Sequence, residues 1–266
     1  MHLRIHFNTD SMVFINRLLK INQELSFIKF KKEKLITFCM VLTQIAPSWF
    51  FGYDVILELL FAIISLVISI FAFKIYKKTS QNSIKIFGIS FILISISYFI
   101  QSFLNFLIIS KLTEKICIAV KIQSITSFNN FGILAHILAM TIGLSLLTYI
   151  TLKQENLKLL WLLIIIPLSA ILLNTNIIYM FYLIASILLI FIEIYFISNF
   201  LKNKQIKTLL VAIAFFFLLI GNLHFLISVN HQIFYAIGHI LELFAYIFIL
   251  TNFYLVLKNG KKKRAS

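Results

Sequence analysis

Six ionisable side chains interrupt otherwise apolar stretches of this chain: Glu58, His136, Glu193, His224, His239 and Glu242. The amides Gln101, Asn105 and Asn222 do the same. A charge at the centre of a membrane helix costs about 2.5–3.5 kcal/mol on insertion scales, so each such group needs a partner or a task. His239 and Glu242 stand three residues apart and share one helix face, a stripe that Tyr235 and Tyr246 extend. Asp54, Glu58, Ser65 and Ser69 form a second polar stripe at helical spacing, and Ser90, Ser97, Gln101 and Asn105 a third. Lipid offers such stripes no partners, so they are expected to face the interior of a bundle.

Three kinds of chemistry fit these residue types. The first is structural: polar side chains that hydrogen-bond across helices, worth about 0.6–2 kcal/mol each. The second is a pocket for a small ligand or a proton-linked sensory site. Its candidate residues are Glu58, Gln101, Asn105, His136, Asn222, His224, His239 and Glu242. The third is a metal or haem site. Neutral imidazoles with carboxylates suit zinc or iron, but three or four of His136, His224, His239, Glu58 and Glu242 must then converge. No compact metal signature such as H-E-x-x-H is present. Haem held by two histidines requires His136 on a helix facing His224 or His239. The sequence leaves all three open and requires no cofactor and no catalysis. His231, beside Asn230, reads as a solvated loop residue, and Glu193 as a carboxylate that snorkels or pairs with Lys202 or Lys204.

Composition identifies the solvent in which these groups sit. Of the 266 residues, 61% are hydrophobic and 12% charged. Soluble domains have roughly 45–50% and 25%. That much apolar surface calls for a bilayer. The formal charge of +15 points, in a soluble protein, to nucleic acid. Here the lysines cluster at the ends of apolar runs, which favours contact with anionic headgroups and no nucleic-acid role. Cys39 and Cys117 supply neither a disulfide framework nor a metal spacing.

A span needs about 20 apolar residues. Seven stretches meet or approach that: 54–74, 86–110, 131–152, 159–173, 177–200, 208–229 and 233–256. The fourth is short and carries Pro167, so 159–200 reads as a helical hairpin kinked there. Gly132, Ala135, Ala139 and Gly143 make a small-residue face suited to close helix packing. The fold expected is therefore all-α: a polytopic seven-helix bundle over 54–256, followed by a basic cytoplasmic tail, 257–266. Fourteen Lys and Arg residues fall in the odd loops and the tail, against three in the even loops: Lys111, Lys115 and Lys121. The bias places the N-terminus outside and the C-terminus inside the cell membrane. On that topology all the pocket candidates lie in one layer roughly 5–15 Å below the outer surface.

Residues 1–53 break the pattern. Seven basic residues precede Leu35, and the apolar run Leu35 to Ala46 is only twelve residues long. A signal-like segment, a true start at Met40, and an eighth helix over 35–53 broken at Pro47 all fit. Gly-rich phosphate loops, an Arg-rich voltage-sensor helix and a mid-membrane lysine in the last span are absent. Matched broken helices of the kind found in inverted-repeat transporters are absent as well.

The segments A-P-S-W-F-F-G-Y-D (Ala46 to Asp54), Y-F-I-Q-S-F-L-N (98–105) and G-H-I-L-E-L-F-A-Y (238–246) resemble archaeal seven-helix integral membrane proteins of uncharacterised function, over roughly residues 40–256. The last segment also looks like the closing helix of membrane-associated sensor modules in bacterial signalling proteins. That resemblance implies sensing by the membrane domain, with a signalling partner protein to carry the output. Seven-helix membrane hydrolases with histidine-bound zinc are a distant comparison. They pair histidines in the last helix, where this chain has His239 alone. The expectation is a sensory or accessory membrane protein with a small polar pocket near the outer face. The alternatives are a metal- or haem-binding enzyme or electron carrier, and a structural subunit.

Overall fold

The computed structural model describes residues 47–50, 52–113, 119–153, 156–228 and 230–265. Among them are a 3-10 turn, Ser48–Phe50, and seven α-helices: α1 (Tyr53–Thr79), α2 (Asn82–Thr113), α3 (Ala119–Thr151), α4 (Leu157–Leu172), α5 (Ile177–Asn203), α6 (Ile206–Ser228) and α7 (Ile233–Ala265). The segment before Pro47, with the three readings of its apolar run and with Cys39, lies outside the described residues, as do Lys115 and Cys117.

Six helices are long and apolar enough to cross a membrane: α1, α2 over Asn82–Leu107, α3 over Asn130–Thr151, α5, α6, and α7 over Ile233–Asn252. The chain is thus an all-α, multi-pass membrane protein. Its surface agrees. Ile56, Ile63, Leu66 and Ile70 of α1 point outward, while Asp54, Glu58, Ser65 and Ser69 of the same helix are buried. Polar groups inside and apolar groups outside is the arrangement that lipid favours. α4 is the exception in length. Its 16 residues reach about 24 Å, against about 30 Å of hydrocarbon. It continues through the buried Pro167.

The helices overrun the apolar limits read from sequence, because backbone hydrogen bonding continues into the interfacial region after hydropathy falls. α1 carries Lys74, Lys77 and Lys78 before Ser80, in the left-handed region at φ 54°, ends it with its N–H on Tyr76 O, 2.8 Å. Lys204, at φ 46°, ends α5 likewise. Asn156 and Asn176 cap α4 and α5, their side chains accepting from the backbone N–H of Lys158 (2.9 Å) and Tyr179 (3.1 Å). α7 runs on to Ala265, so helix continues where the sequence suggested a separate basic tail.

α1, α2, α3, α5, α6 and α7 pack in that order and close a ring, α7 lying against α1. α4 packs chiefly on α3 and α5. Serines set the antiparallel register of α1 and α2: Ser102 donates to Val55 O (3.0 Å), Ser95 to Ala62 O (2.7 Å) and Ser69 to Gly88 O (2.8 Å). α1 and α7 run parallel, with Glu58 beside His239 and Ser65 beside Tyr246. Small side chains let backbones approach elsewhere. A Cβ on Gly143 of α3 would stand 3.1 Å from Ser90 O, and one on Gly221 of α6 3.1 Å from Gly238 O.

Gly238 holds the tightest such contact on α7. A Cβ there would meet the Phe225 ring at 2.6 Å. That ring cannot easily yield, because it stacks on Tyr182 and packs edge-on against His239. Gly238→Ala gains about 1 kcal/mol in helix propensity. Overpacking costs about 1–3 kcal/mol. With the ring pinned on both sides the upper half of that range applies, about 2–3 kcal/mol, so the expected result is a net loss of about 1–2 kcal/mol, read as a lower unfolding midpoint in detergent. An unchanged or higher midpoint would contradict this account of the α6–α7 contact.

Candidate functional site

The polar stripes converge on a cavity of about 70 Å³ enclosed by the six ring helices. α1 contributes Glu58, α2 Tyr98 and Gln101, α3 His136, α5 Tyr182, α6 Asn222, and α7 Tyr235, His239, Glu242 and Tyr246. These groups lie within a few turns of the bundle end at which α1 begins. Deeper in, toward and past the helix midpoints, the walls are apolar: Leu144, Leu147, Leu189 and Phe215. The cavity therefore has a polar end and an apolar floor.

Its centre is His239, with a carboxyl on each side. Nε2 lies 4.0 Å from Glu58 Oε1, and Nδ1 lies 3.5 Å from Glu242 Oε2. Four rings surround the imidazole: Phe50 and Phe61 stacked at 5.8 and 6.3 Å, Phe225 at 4.9 Å and Tyr235 at 4.6 Å. Phe50 arrives from the 3-10 turn ahead of α1. Gly52, at φ 96°, makes the N-cap that follows this turn, a conformation that costs glycine little. Asp54 then anchors the helix start, its Oδ1 accepting the N–H groups of Gly52 (2.9 Å) and Val55 (2.8 Å).

The two carboxyls are held differently. Asn105 Nδ2 donates to both oxygens of Glu58, at 3.0 and 2.9 Å, and Gln101 lies one turn before Asn105 on the same helix and lines the same cavity. Glu242 accepts from Tyr98 O–H on Oε1, 2.9 Å. Its Oε2 has no hydrogen-bond partner, and neither ring nitrogen of His239 has one. Burial without a partner is costly, and such groups are rare in folded proteins.

The remaining candidates separate. His136 is fixed by α2. Its Nδ1 lies 3.0 Å from Ser97 O, a carbonyl that can only accept, so Nδ1–H is the donor. Ser97 O–H donates in turn to His136 O, 3.0 Å. In the neutral ring this leaves Nε2 as the acceptor. Asn222 spends its amide on α5, donating to Tyr182 O and Ser186 Oγ at 2.7 Å each. It clamps two helices while also lining the cavity. His224 does not line it. Its Nδ1 turns back onto Ile220 O, 2.7 Å, and its ring packs on Phe234 at 5.5 Å. Glu193 is buried on α5, away from the cavity, with Oε2 unpartnered.

Four residues that sequence reasoning did not single out belong here: Tyr98, Tyr182, Phe225 and Phe50. Tyr98 carried a signal, since it precedes Gln101 and Asn105 by three and seven residues and so shares their face. Tyr182 and Phe225 carried none, because an aromatic residue in an apolar run reads as ordinary core. Among the described residues no three His, Cys, Asp or Glu side chains are arranged to hold a metal ion. Comparison with protein-family models, with curated proteins and with solved structures finds no match for the chain.

Proposed function

We propose that this multi-pass membrane protein is a sensory or accessory component that binds a small ligand in the cavity of its helix ring, with the polar end toward the outer face. One observation carries the reading. Three polar atoms, His239 Nδ1 and Nε2 and Glu242 Oε2, are buried at one cavity without hydrogen-bond partners. A set of side chains kept only to join helices is expected to satisfy itself, as Asn105 and Glu58 do. The bias of Lys and Arg between alternate loops supports the orientation.

Ala185 tests the cavity without touching a polar group, since it is buried on α5 and lines the wall. Ala185→Leu fills part of the space and is expected to leave the unliganded unfolding free energy within about 1 kcal/mol. It should also abolish the rise in unfolding temperature that small amines, alcohols or carboxylates produce in the unmodified protein. A response in Ala185→Leu equal to that of the unmodified protein would count against the reading. So would a Soret band, or stoichiometric zinc or iron, in the purified protein, because either assigns the site to a haem or metal.

A further inference from the structure

We infer that the cavity takes a small protonated alkylamine, its ammonium head between Glu242 and His239 and its short alkyl chain on the apolar floor. The inference rests on the ligand-binding reading above and names the class of ligand. Charge comes first. Two carboxyls, Glu58 and Glu242, line the cavity, and no lysine or arginine does. A carboxylate ligand would find two acid side chains and no lysine or arginine to pair with, whereas an ammonium group finds acceptor oxygens.

Hydrogen-bonding capacity comes next. An ammonium group carries three donors and no acceptor. Glu242 Oε2 has no hydrogen-bond partner, and neither has either ring nitrogen of His239, one of which is an acceptor in a neutral imidazole. Both residues are more than nine-tenths buried, at 8% and 4% exposure. A neutral alcohol could satisfy one of these acceptors, having one O–H to donate. The surrounding rings, among them Tyr182, Tyr235 and Phe225, add the electron-rich faces that attract cations. The polar end leads to Leu144, Leu147 and Leu189, which suits a ligand with a charged head and an apolar tail. About 70 Å³ restricts that tail to a few carbons.

Ethylammonium is the probe, against potassium chloride at equal ionic strength, 1-propanol and propionate, with the full-length protein in lipid nanodiscs. The expected result is a saturable rise in unfolding temperature with ethylammonium alone. Glu242→Gln should raise the concentration needed for half the effect by about tenfold or more. Should that variant not fold, His239→Phe, which keeps a ring and removes the acceptor nitrogen, carries the same expectation. An undiminished amine response in the variant that folds overturns the assignment. Stabilisation by propanol or propionate without ethylammonium overturns it too, while leaving the ligand-binding cavity standing. No response to any of the three overturns the assignment and the ligand-binding reading together.

Discussion

Replacing His239 and Glu242 by leucine, together with Tyr98→Phe, is expected to make the protein more stable. The three polar groups sit in one contact set. Glu242 accepts from Tyr98, and the rest of the pair's buried polar atoms make no hydrogen bond. Converting a poorly satisfied buried polar cluster to apolar side chains of similar volume is neutral or stabilising, by about 1–4 kcal/mol. Tyr98 must change with the other two, because Tyr98 alone would keep a buried hydroxyl stripped of its acceptor. Glu58 loses the imidazole 4.0 Å away but keeps both bonds from Asn105. The measurement is the unfolding midpoint of the triple variant in detergent, alongside its thermal response to ethylammonium, which should vanish. A loss of about 2 kcal/mol or more, the size of a lost buried hydrogen bond, would identify the cluster as structural and remove the argument for a ligand site.

Asn105→Leu should act in the opposite direction, lowering stability by about 2–3 kcal/mol. Its amide reaches both oxygens of Glu58, a carboxyl only 1% exposed. Removing the donor strips the side-chain hydrogen bonds from one of the most buried polar groups among the described residues. Glu58→Leu in the Asn105→Leu background should recover much of the loss, because the carboxyl stripped of its donor is then gone. If the double variant is no more stable than Asn105→Leu alone, the effect lies in α1–α2 packing and not in the hydrogen bonds. The two experiments together use similar chemistry with opposite expected signs. Satisfaction decides the sign: Glu58 is bonded at both oxygens, whereas the His239–Glu242 pair is half orphaned.

Much of this was legible in the residues. Length and hydropathy locate each of the seven helices, and the Pro167 segment already stands apart as the short one, read as half of a kinked helical hairpin. Helical spacing orients the polar stripes inward, and the buried positions of Asp54, Glu58, Ser65, Ser69, Ser90 and Ser97 follow that spacing. Helix ends were less legible, because Lys77, Lys78 and Lys202 sustain helix after hydropathy has dropped. The division of labour among the polar groups was not legible at all. His136, His224 and His239 look alike in one dimension. In three, one is bonded to Ser97 on α2, one folds back on its own helix at Ile220, and one lies between two carboxyls without a hydrogen bond. That difference depends on which residue faces each ring across the bundle, and no single helix encodes it.

α4 has a consequence for the surrounding lipid. At about 24 Å it is roughly 6 Å shorter than the hydrocarbon that its neighbours match. It packs on α3 and α5 and presents Trp161, Leu162, Ile165 and Ile166 outward. A span that short is accommodated by local thinning of the bilayer, by snorkelling of flanking residues or by association, at a fraction of a kcal/mol per Å. Thinning there would be confined to one side of the protein. Two such proteins approaching α4 to α4 would share one deformed patch in place of two, and thinner membranes would accept the protein more readily than thick ones.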